Sequence, residues 1–555
     1  MKTKQIAALG MAAAMMASVC GCSATQAASA TSQATSESTA AANEAINNAT
    51  TASDYVPTYP IVSEPITVTG LIVGADDSSS ESRIIWDKVS EITGINVKWI
   101  NIDKDSLSTY LAGNDWPDFF HTGELTASQI NDYGIQGSRF VNYLEHLDIM
   151  PNLTQTLKDF PAARASSIEL NGEMYKLFSV SGTSATSTSC RPHYRRDVLE
   201  AAGITNPPTT VDELYQDLKI LKEKNGAPGL ILDTNAFTGM VPMLFGAFGT
   251  LNNLKFDEDG AGNIVYAPVT DQTKHYYEFL HKLYDEELMN REWLTMDKSV
   301  ADQLAKSGQV AFPTASSSQI LGEEDLNGNW DNLDCLAPLT SEYDQTQTLP
   351  GCIDYRNQPG MFINKDSQYI EELCKMFDIA FATEEVVPGS GLYGQAFTWG
   401  LEGVDWKMND DNTYEQIIPE GFTSFSAYQT QLLRFKDFGR SDAFGTATPS
   451  TPSNSQARQK AYVKNVIPYQ ITEHVFPADP AGFFKFTDDE QYIIDNKYAD
   501  IELYVQEMQA KFISGAADLA TDWDTYIQTV NQMGIDEVRD VYQASYDRWC
   551  EAAAS

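Results

Sequence analysis

The first regular pattern in the chain predicts a strand, a helix and a second strand in close succession. A run rich in β-branched residues spans 66–73, apolar side chains recur at helical spacing over 84–92, and apolar and polar residues alternate over 95–99. A polar turn at 75–80 joins the first strand to the helix, and Gly94 ends the helix. Such a βαβ unit places its two strands parallel in one sheet.

Two polar stretches follow the ends of predicted strands in this region. The turn at 75–80 follows the first strand, and residues 121–124 follow a short apolar strand at 118–120. Ligands of such sheets bind beyond the carboxyl ends of the strands. We therefore expect both stretches to border a cleft.

The later parts of the chain have helical patterns. Residues 210–213 and 487–490 both match the Thr-x-x-Glu capping box that precedes an apolar stripe. Three amphipathic stripes then fill the C-terminal region, where Trp523 and Trp549 lie on the apolar faces and are predicted to be core residues. Alternating strands and helices of this kind predict an α/β fold.

Composition narrows the function classes. The 555 residues include 77 acidic and 37 basic side chains, which gives a formal charge of −40, and 42% of the residues are hydrophobic. This apolar content excludes a disordered polymer. Nucleic acid is not an expected partner, because a phosphate backbone is bound by clustered Lys and Arg.

The N-terminus has the pattern of a secretory signal. Lys2 and Lys4 precede an apolar run over 6–19, which is shorter than the ~20 residues that cross a bilayer core. The motif at 19–22, Val-Cys-Gly-Cys, resembles the bacterial lipobox, so residues 1–21 are predicted to be removed and Cys22 to be acylated. Two or more acyl chains would anchor the protein outside the cytoplasm on the cell membrane. An ordinary signal peptide cut elsewhere is the alternative.

The segment after the predicted anchor has the composition of a linker. Residues 22–54 are rich in Ser, Ala and Thr and contain no aromatic side chain, Lys or Arg. We therefore expect them to be a tether that buries no core, with the folded part spanning 55–555. About 500 residues exceed what one core usually holds, so two lobes are expected.

The cysteines leave two possibilities open. Beyond the N-terminal pair an odd number remains, so at least one thiol must be unpaired, and buried free thiols or a disulfide are both compatible with the sequence. These cysteines are Cys190, Cys335, Cys352, Cys374 and Cys550.

Five stretches, in this order along the chain, resemble the bacterial extracellular solute-binding proteins of family 1, the sugar-type receptors of ABC importers. Their order matters more than any one of them. They are 91–99 (EITGINVKW), 112–118 (AGNDWPD), 194–203 (YRRDVLEAAG) with 208–213 (PTTVDE), 399–403 (WGLEG), and 511–515 (KFISG) with 522–526 (DWDTY).

The resemblance implies a type II periplasmic-binding-protein-like fold, in which two α/β lobes are joined by a hinge of several strands. It implies one lobe over approximately 60–182 and 345–430, and the other over approximately 190–340 and 431–555. The expected function is to capture a sugar or oligosaccharide between the lobes and deliver it to the permease subunits of an ABC importer. A monomer without cofactor, metal or catalysis is expected.

Candidate ligand-binding residues are aromatic rings off the helical stripes and polar groups near predicted strand ends. For three of these candidates an alternative is open. Trp399 could equally be a core residue, and Trp330 could be an exposed ring on a hairpin. The neighbouring residues 355 and 356 could form a surface ion pair. The lone imidazoles of His121 and His193 are predicted to be structural. The candidates are Glu124, Ser316, Trp330, Tyr355, Arg356, Tyr393 and Trp399.

Two alternatives remain, a receptor for another solute such as a peptide and a surface-anchored glycosidase. A glycosidase needs two carboxylates at a set separation, but adjacent pairs such as Asp76 and Asp77 are expected from the acidic composition alone. The chain has no GxSxG or HExxH motif. The acidic stretch 257–260 lacks EF-hand spacing, so a solvated hairpin is predicted there.

Overall fold

The protein is described by a computed structural model. The described residues are 38–49, 55–73, 83–180, 192–232, 244–250, 255–313, 321, 326, 328–347, 349–350, 356–422, 424–429, 431, 438–471 and 483–554.

The strands, in chain order, are β1 (Ile66–Val73), β2 (Ile95–Ile102), β3 (Phe119–Thr122), β4 (Leu177–Val180), β5 (His193–Arg195), β6 (Phe256–Glu258), β7 (Ile264–Tyr266), β8 (Leu333–Cys335), β9 (Leu349–Pro350), β10 (Arg356–Ile363), β11 (Trp406–Met408), β12 (Thr413–Gln416), β13 (Gly439–Arg440), β14 (Thr448–Pro449) and β15 (Gln470–Ile471).

The main helices are α1 (residues 38–48), α2 (Ile84–Thr93), α3 (Leu107–Leu111), α4 (Ala127–Ile130), α5 (Pro151–Asp159), α6 (Pro161–Ser167), α7 (Arg196–Ala201), α8 (Val211–Asn225), α9 (Asp271–Asp285), α10 (Lys298–Lys306), α11 (Ile370–Asp378), α12 (Ala396–Trp399), α13 (Phe425–Tyr428), α14 (Asn454–Asn465), α15 (Asp488–Ile493), α16 (Ala499–Ser514), α17 (Trp523–Gln532) and α18 (Ile535–Ala554).

The predicted βαβ unit is confirmed. Strands β1 and β2 pair in parallel from Ile66 opposite Ile95, and α2 connects them. The helix ends at Gly94, whose φ of 78° is the left-handed conformation that a glycine accepts without strain. A Cβ at Gly70 would lie 2.4 Å from Cζ of Phe119, so only glycine lets the ring of β3 cross β1 there.

The largest sheet has six strands in the order β13-β4-β10-β3-β1-β2. Strand β10 is antiparallel to both of its neighbours, while the other adjacent pairs are parallel. Consequently β1, β2, β3, β4 and β13 all point the same way, and their carboxyl ends meet at one edge of the sheet. We call this the carboxyl edge.

Two large hydrophobic cores lie among the described residues. The first packs on one face of the six-stranded sheet, and the second is built mainly from α8, α9, α16, α17 and α18. Trp523 is buried in the second core as predicted, whereas Trp549 is only partly buried at its margin. The lobe limits given by the resemblance stay a prediction, because the cores show which residues pack together and not where one lobe ends.

The N-terminal helix α1 differs from the prediction. Residues 38–48 were expected to belong to a tether, yet Ala42 and Ile46 are buried in the first core. The amide Nδ2 of Asn43 donates to the carbonyl of Ala552, 3.2 Å away at the end of α18. A segment of this composition cannot make a core of its own, but one helical face with two apolar residues can complete a core that other segments supply.

The two cores meet along a seam that is formed by α1, α6 and α18. Nη2 of Arg164 donates to the carbonyls of Ala552 and Ala553, at 3.2 and 3.0 Å. Nε1 of Trp549 donates to Oγ of Ser166 at 2.9 Å. The last carbonyls of a helix have no partner within the helix, so side chains of the first core cap the final helix of the second.

The local turn and cap predictions have mixed outcomes. The capping box at 487–490 is confirmed. At 210–213 only half of the box forms, because the carboxylate of Glu213 accepts the N–H and the hydroxyl of Thr209 instead of the N–H of Thr210. The acidic stretch near residue 257 lies on the antiparallel hairpin of β6 and β7, as predicted, but Asp257 and Glu258 are buried instead of solvated.

Candidate ligand-binding site

A cavity of about 240 Å³ lies beside the edge strand β13. Because β13 runs parallel to β4 and the N–H of Ser441 donates to the carbonyl of Val180, the residues after β13 lie at the carboxyl edge. That edge is where ligands of such sheets bind. The lining residues are Ala382, Thr383, Tyr393, Gln395, Arg440, Asp442 and Ala443.

A glycine brings β13 close to the segment that forms the opposite side of the cavity. Gly439 has a φ of 77°, and a Cβ at this position would lie 2.0 Å from the carbonyl oxygen of Ala380. The N–H of Gly394 donates to the carbonyl of Ala382, which ties the Gly-rich loop to the same segment. The cavity is therefore framed by backbone contacts that larger residues would disrupt.

Arg440 is the cation of the cavity and is held by two carboxylates. Its Nε lies 3.1 and 3.0 Å from the two oxygens of Asp442, and Nη1 lies 2.6 Å from Oδ2 of Asp159. The arginine side chain is only 12% exposed. Its charge is therefore already balanced inside the protein.

Gln395 supplies a buried amide to the same cavity. The residue is 1% exposed, and its Oε1 accepts the N–H of Ala443 at 3.1 Å. Among the described residues, its Nε2 has no hydrogen-bond partner. A buried donor without a partner costs roughly 1–3 kcal/mol, so a ligand oxygen that reached this amide would remove a penalty.

Tyr393 contributes a ring whose hydroxyl is fixed. The hydroxyl donates to Oε2 of Glu402 at 2.9 Å. Burial, with this carboxylate beside it, holds the pKa of Tyr393 well above its usual value, so the phenol stays neutral. The predicted site residue Tyr393 therefore lines a cavity, with its ring packed rather than free to rotate.

Trp399 does not line the cavity but packs in a group of rings that we call the aromatic wall: Trp399, Tyr414, Phe425 and Phe444. Trp399, Tyr414 and Phe444 share a hydrophobic cluster with the lining residue Tyr393. Trp399 stacks with Phe425 at 6.1 Å and meets Phe444 at 4.9 Å between ring centroids. Tyr414, Phe425 and Phe444 are buried, whereas Trp399 is only partly buried. Trp399 is the last residue of the one-turn helix α12, where the sequence predicted no helix.

Glu124 lies at the carboxyl edge on the opposite flank of the sheet. Its carboxylate pairs with Nζ of Lys104 at 2.6 Å, and its N–H donates to Oγ1 of Thr122 at 3.0 Å. Glu124 follows β3, as the sequence predicts, and Lys104 follows β2.

The remaining predicted residues do not join this group. Trp330 begins a single 3₁₀ turn before β8 and packs with Leu321, Leu326 and Leu333, so its ring is partly buried instead of exposed on a hairpin. Arg356 begins β10 opposite Ser179, and its side chain is outside the described residues. Cys22, Ser316 and Tyr355 also lie outside them.

The two histidines predicted to be structural lie in the interior. His193 accepts or donates a hydrogen bond with the hydroxyl of Tyr462 at 2.9 Å from its Nε2. His121 is buried between the rings of Trp99 and Phe438. Cys335, Cys374 and Cys550 are free thiols, while Cys190 and Cys352 are outside the described residues.

Sequence reasoning missed Gln395, Arg440 and Asp442. Gln395 lies in the Gly-rich stretch that holds Tyr393 and Trp399, so its location was the only available signal. An Arg-x-Asp spacing is common on protein surfaces, and only the pairing of β13 with β4 brings it to the carboxyl edge.

The described residues offer neither a metal site nor a membrane-spanning helix. Within them, no group of three or more His, Cys, Asp or Glu side chains is arranged to hold a metal ion. None of the helices in the same part of the chain is long and apolar enough to cross a membrane.

Comparison with known proteins supports this description. A family model for bacterial extracellular solute-binding proteins matches residues 193–385. No curated protein matches the chain.

Several solved structures share the fold. A protein from Bifidobacterium longum infantis, described as an HMO-binding, ABC-transporter-associated solute-binding protein, is 17% identical, with a TM-score of 0.69 and coverage of 88% of this chain and 99% of that chain. The Streptococcus pneumoniae substrate-binding protein FusA, an EF-hand mutant in complex with fructo-nystose, is 18% identical, with a TM-score of 0.64 and coverage of 87% and 99%.

A third structure, the alginate-binding protein AlgQ2 without calcium ion, is 19% identical, with a TM-score of 0.60 and coverage of 88% and 99%. The predicted α/β fold of the type II periplasmic-binding-protein-like class is therefore confirmed. So is the resemblance of this chain to the bacterial extracellular solute-binding proteins.

Proposed function

We propose that this protein is the substrate-binding component of an ABC importer and that it captures a sugar or oligosaccharide between its two lobes. The observation that carries the proposal is the cavity at the carboxyl edge, which combines the ring of Tyr393 with the buried amide of Gln395. Three proteins of the same fold are described as binding HMO, fructo-nystose and alginate.

The chemistry of the cavity and the aromatic wall suits a carbohydrate. The apolar face of a pyranose packs against an aromatic ring, and Trp399 is the partly buried ring of the wall. The hydroxyls of a sugar both donate and accept hydrogen bonds. They can therefore pair with carboxylates such as Asp442 and with amides such as Gln395 at the same time.

The affinity that a nutrient receptor needs is within reach of such groups. A dissociation constant of about 1 μM corresponds to about −8 kcal/mol. Burying about 100 Å² of apolar surface against a ring contributes about 2.5 kcal/mol, and each hydrogen bond adds about 1 kcal/mol. Two or three rings and several hydrogen bonds are therefore sufficient.

Closure of the lobes follows from differential affinity. A ligand that contacts both lobes only when they are closed shifts the population toward the closed form, which the permease subunits would recognise. The cavity is lined by residues of β13 and the Gly-rich loop, so residues of the facing lobe would supply the remaining contacts.

We further propose a non-catalytic, extracytoplasmic monomer that is held on the membrane through Cys22. The acidic groups at the cavity are engaged: Asp442, which lines it, pairs with Arg440, and Glu402, behind the lining ring, accepts a hydrogen bond from Tyr393. Such pairing suits binding better than proton transfer. For the anchor, Cys22→Ser should release the protein from membranes and abolish labelling by radioactive palmitate, and unchanged attachment would reject the lipobox assignment.

A thermal-shift panel tests the main proposal. Neutral and acidic oligosaccharides, peptides and amino acids are each added to the purified protein, since a ligand at 100 times its dissociation constant adds about 2.7 kcal/mol to the free energy of unfolding. We expect at least one glycan to raise the melting temperature and to be recovered intact. Shifts by peptides alone would reject the ligand class, and new reducing ends would indicate a glycosidase.

A further inference from the structure

The charges around the cavity are dominated by carboxylates. The cavity is lined by one cation, Arg440, and one anion, Asp442, which pair with each other. Arg440 is also paired with Asp159 at 2.6 Å. One guanidinium therefore faces two carboxylates before any ligand arrives.

A third carboxylate lies behind the ring that lines the cavity. Oε2 of Glu402 accepts a hydrogen bond from the hydroxyl of Tyr393 at 2.9 Å. The tyrosine hydroxyl is consequently committed as a donor to this group. It offers a ligand its ring and its remaining lone pair, neither of which neutralises a negative charge.

We infer that the cavity beside β13 selects uncharged sugar units and rejects uronate, sialylated or sulfated ones, so that the ligand of this receptor is a neutral oligosaccharide. The inference rests on the proposed function and specifies its substrate class. The cavity, at about 240 Å³, is smaller than the roughly 300–1,000 Å³ of whole ligand pockets, so it would hold one end of such a ligand.

The physical reason is that an anionic unit would find no free cation among the described residues that line this cavity. To pair with Arg440, a ligand carboxylate would have to displace Asp442 or Asp159, which would leave a protein carboxylate without its partner. If it did not displace them, it would lie beside Asp442 with like charge. Either arrangement disfavours the ion, because partly buried charges are screened weakly.

A neutral sugar unit can form hydrogen bonds with the cavity without adding a charge. Each carboxylate oxygen of Asp442 retains lone pairs that accept sugar hydroxyls, and Nε2 of Gln395 has no partner and can donate to a sugar oxygen. A hydroxyl group is both donor and acceptor, so one sugar can serve both without introducing charge.

The charge of the whole chain acts in the same direction. With 77 acidic and 37 basic side chains, the protein carries a formal charge of −40. Such a field lowers the local concentration of anionic ligands and slows their association, an effect that falls with ionic strength. On the other flank of the carboxyl edge Lys104 is likewise paired with Glu124.

The experiment compares matched neutral and acidic glycans by calorimetry on the full chain. The neutral set contains gluco-, galacto-, manno-, xylo- and fructo-oligosaccharides, and each acidic probe keeps the length of a neutral one, as a mannuronate tetramer does for mannotetraose. We expect a neutral glycan to bind at least tenfold more tightly than its acidic counterpart, which is about 1.4 kcal/mol.

The outcomes separate this inference from the proposed function. An acidic glycan that binds as tightly as its neutral counterpart, or more tightly, would overturn the inference and leave a glycan receptor standing. Binding of peptides or other solutes without any glycan would overturn the proposed function, and the inference with it.

A charge variant tests the role of the cavity itself. Asp442→Asn removes the lining carboxylate and should narrow the ratio of neutral to acidic affinity at least threefold. Glu507→Gln is the control, because it removes the same charge from an exposed ion pair with Lys511 on α16, and it should leave the ratio unchanged. Equal effects of the two variants would reject the cavity as the selective element.

A salt titration of the unaltered protein keeps the test independent of that variant's folding. If charge causes the rejection, the ratio of neutral to acidic affinity should fall as sodium chloride is raised from about 20 to about 500 mM. A ratio that stays constant would overturn the contribution of the long-range field and leave the weakly screened charges of the cavity as the cause of the rejection.

Discussion

The seam between the cores and the cavity beside β13 use similar side chains for opposite purposes. At the seam, Arg164 and Asn43 reach from the first core to the last carbonyls of α18, and only about 30 Å³ remains open there. At the cavity, Arg440 pairs with carboxylates of its own core, and about 240 Å³ remains open. Polar groups that join two cores close the space between them, whereas polar groups that pair within one core can leave room for a ligand.

The comparison also separates stability from binding. Glu169 and Lys485 form a second link across the seam, at 2.8 Å and with little exposure. Substitutions at the seam should therefore lower the stability of the protein and leave ligand affinity unchanged. Substitutions at the cavity and the aromatic wall should lower ligand affinity and leave the stability of the protein unchanged.

The largest effect is expected from Ile46→Ala in α1. Ile46 is fully buried in the first core, and truncation of such a side chain costs about 2–4 kcal/mol through lost burial and the resulting cavity. Urea unfolding measures the loss, and Glu44→Ala on the exposed side of the same helix is the control. An unchanged unfolding midpoint for Ile46→Ala would mean that the segment behaves as the free tether that its composition suggests.

Arg164→Ala should lower the free energy of unfolding by about 2 kcal/mol. The charge-assisted hydrogen bonds to the end of α18 would be lost, and the carbonyls of Ala552 and Ala553 would be left without this partner. The melting temperature should fall while the dissociation constant of a bound glycan stays the same. The control is Arg539→Ala, which removes an exposed arginine of α18 and should leave the melting temperature nearly unchanged. A loss of affinity at constant stability would contradict the separation of the two regions.

The seam should also make stability depend on pH through Lys176. Burial, with Lys485 nearby, lowers the pKa of Lys176 from 10.5 to about 7. Between these values the unfolded chain binds more protons at this position than the folded chain, so this group makes the free energy of unfolding rise with pH from about 7 to about 10.

Lys176→Met should remove that rise and stabilise the protein at pH 6 by about 1–2 kcal/mol, since a charged lysine would no longer be buried. Melting curves from pH 6 to pH 10 measure both effects. Lys407→Met, at an exposed ion pair on β11, serves as the reference. Parallel pH profiles for the protein and Lys176→Met would show that Lys176 does not titrate in this range.

The smallest effect is expected at the aromatic wall. Trp399→Ala should weaken glycan binding about tenfold, or about 1.4 kcal/mol, because the partly buried ring would no longer offer its face. Trp549→Ala, at the seam, is the matched control and should lower the melting temperature without changing affinity. If Trp399→Ala lowered only the melting temperature, its ring would be a core residue, which is the alternative that the sequence leaves open.

Local patterns determined much of the fold. The spacing of apolar residues around Gly94 was enough to predict β1, α2 and β2, and the Thr-x-x-Glu pattern at 487–490 was enough to predict the start of α15. The motifs spread from residue 91 to residue 526 were enough for the resemblance and thus for the type II fold. These features depend on residues close to each other in the chain or on motif order.

The packing of α1 and the set of residues that line the cavity depend on contacts between distant parts of the chain. Asn43 contacts Ala552, and Arg440 contacts Asp159, across hundreds of residues that carry no local sign of the pairing. Over a shorter separation, the sequence placed Glu124 correctly after a strand but could not pair it with Lys104. Local periodicity reports which face of an element is apolar, whereas long-range packing alone decides which groups meet across elements and which buried donor, such as Nε2 of Gln395, is left for a ligand.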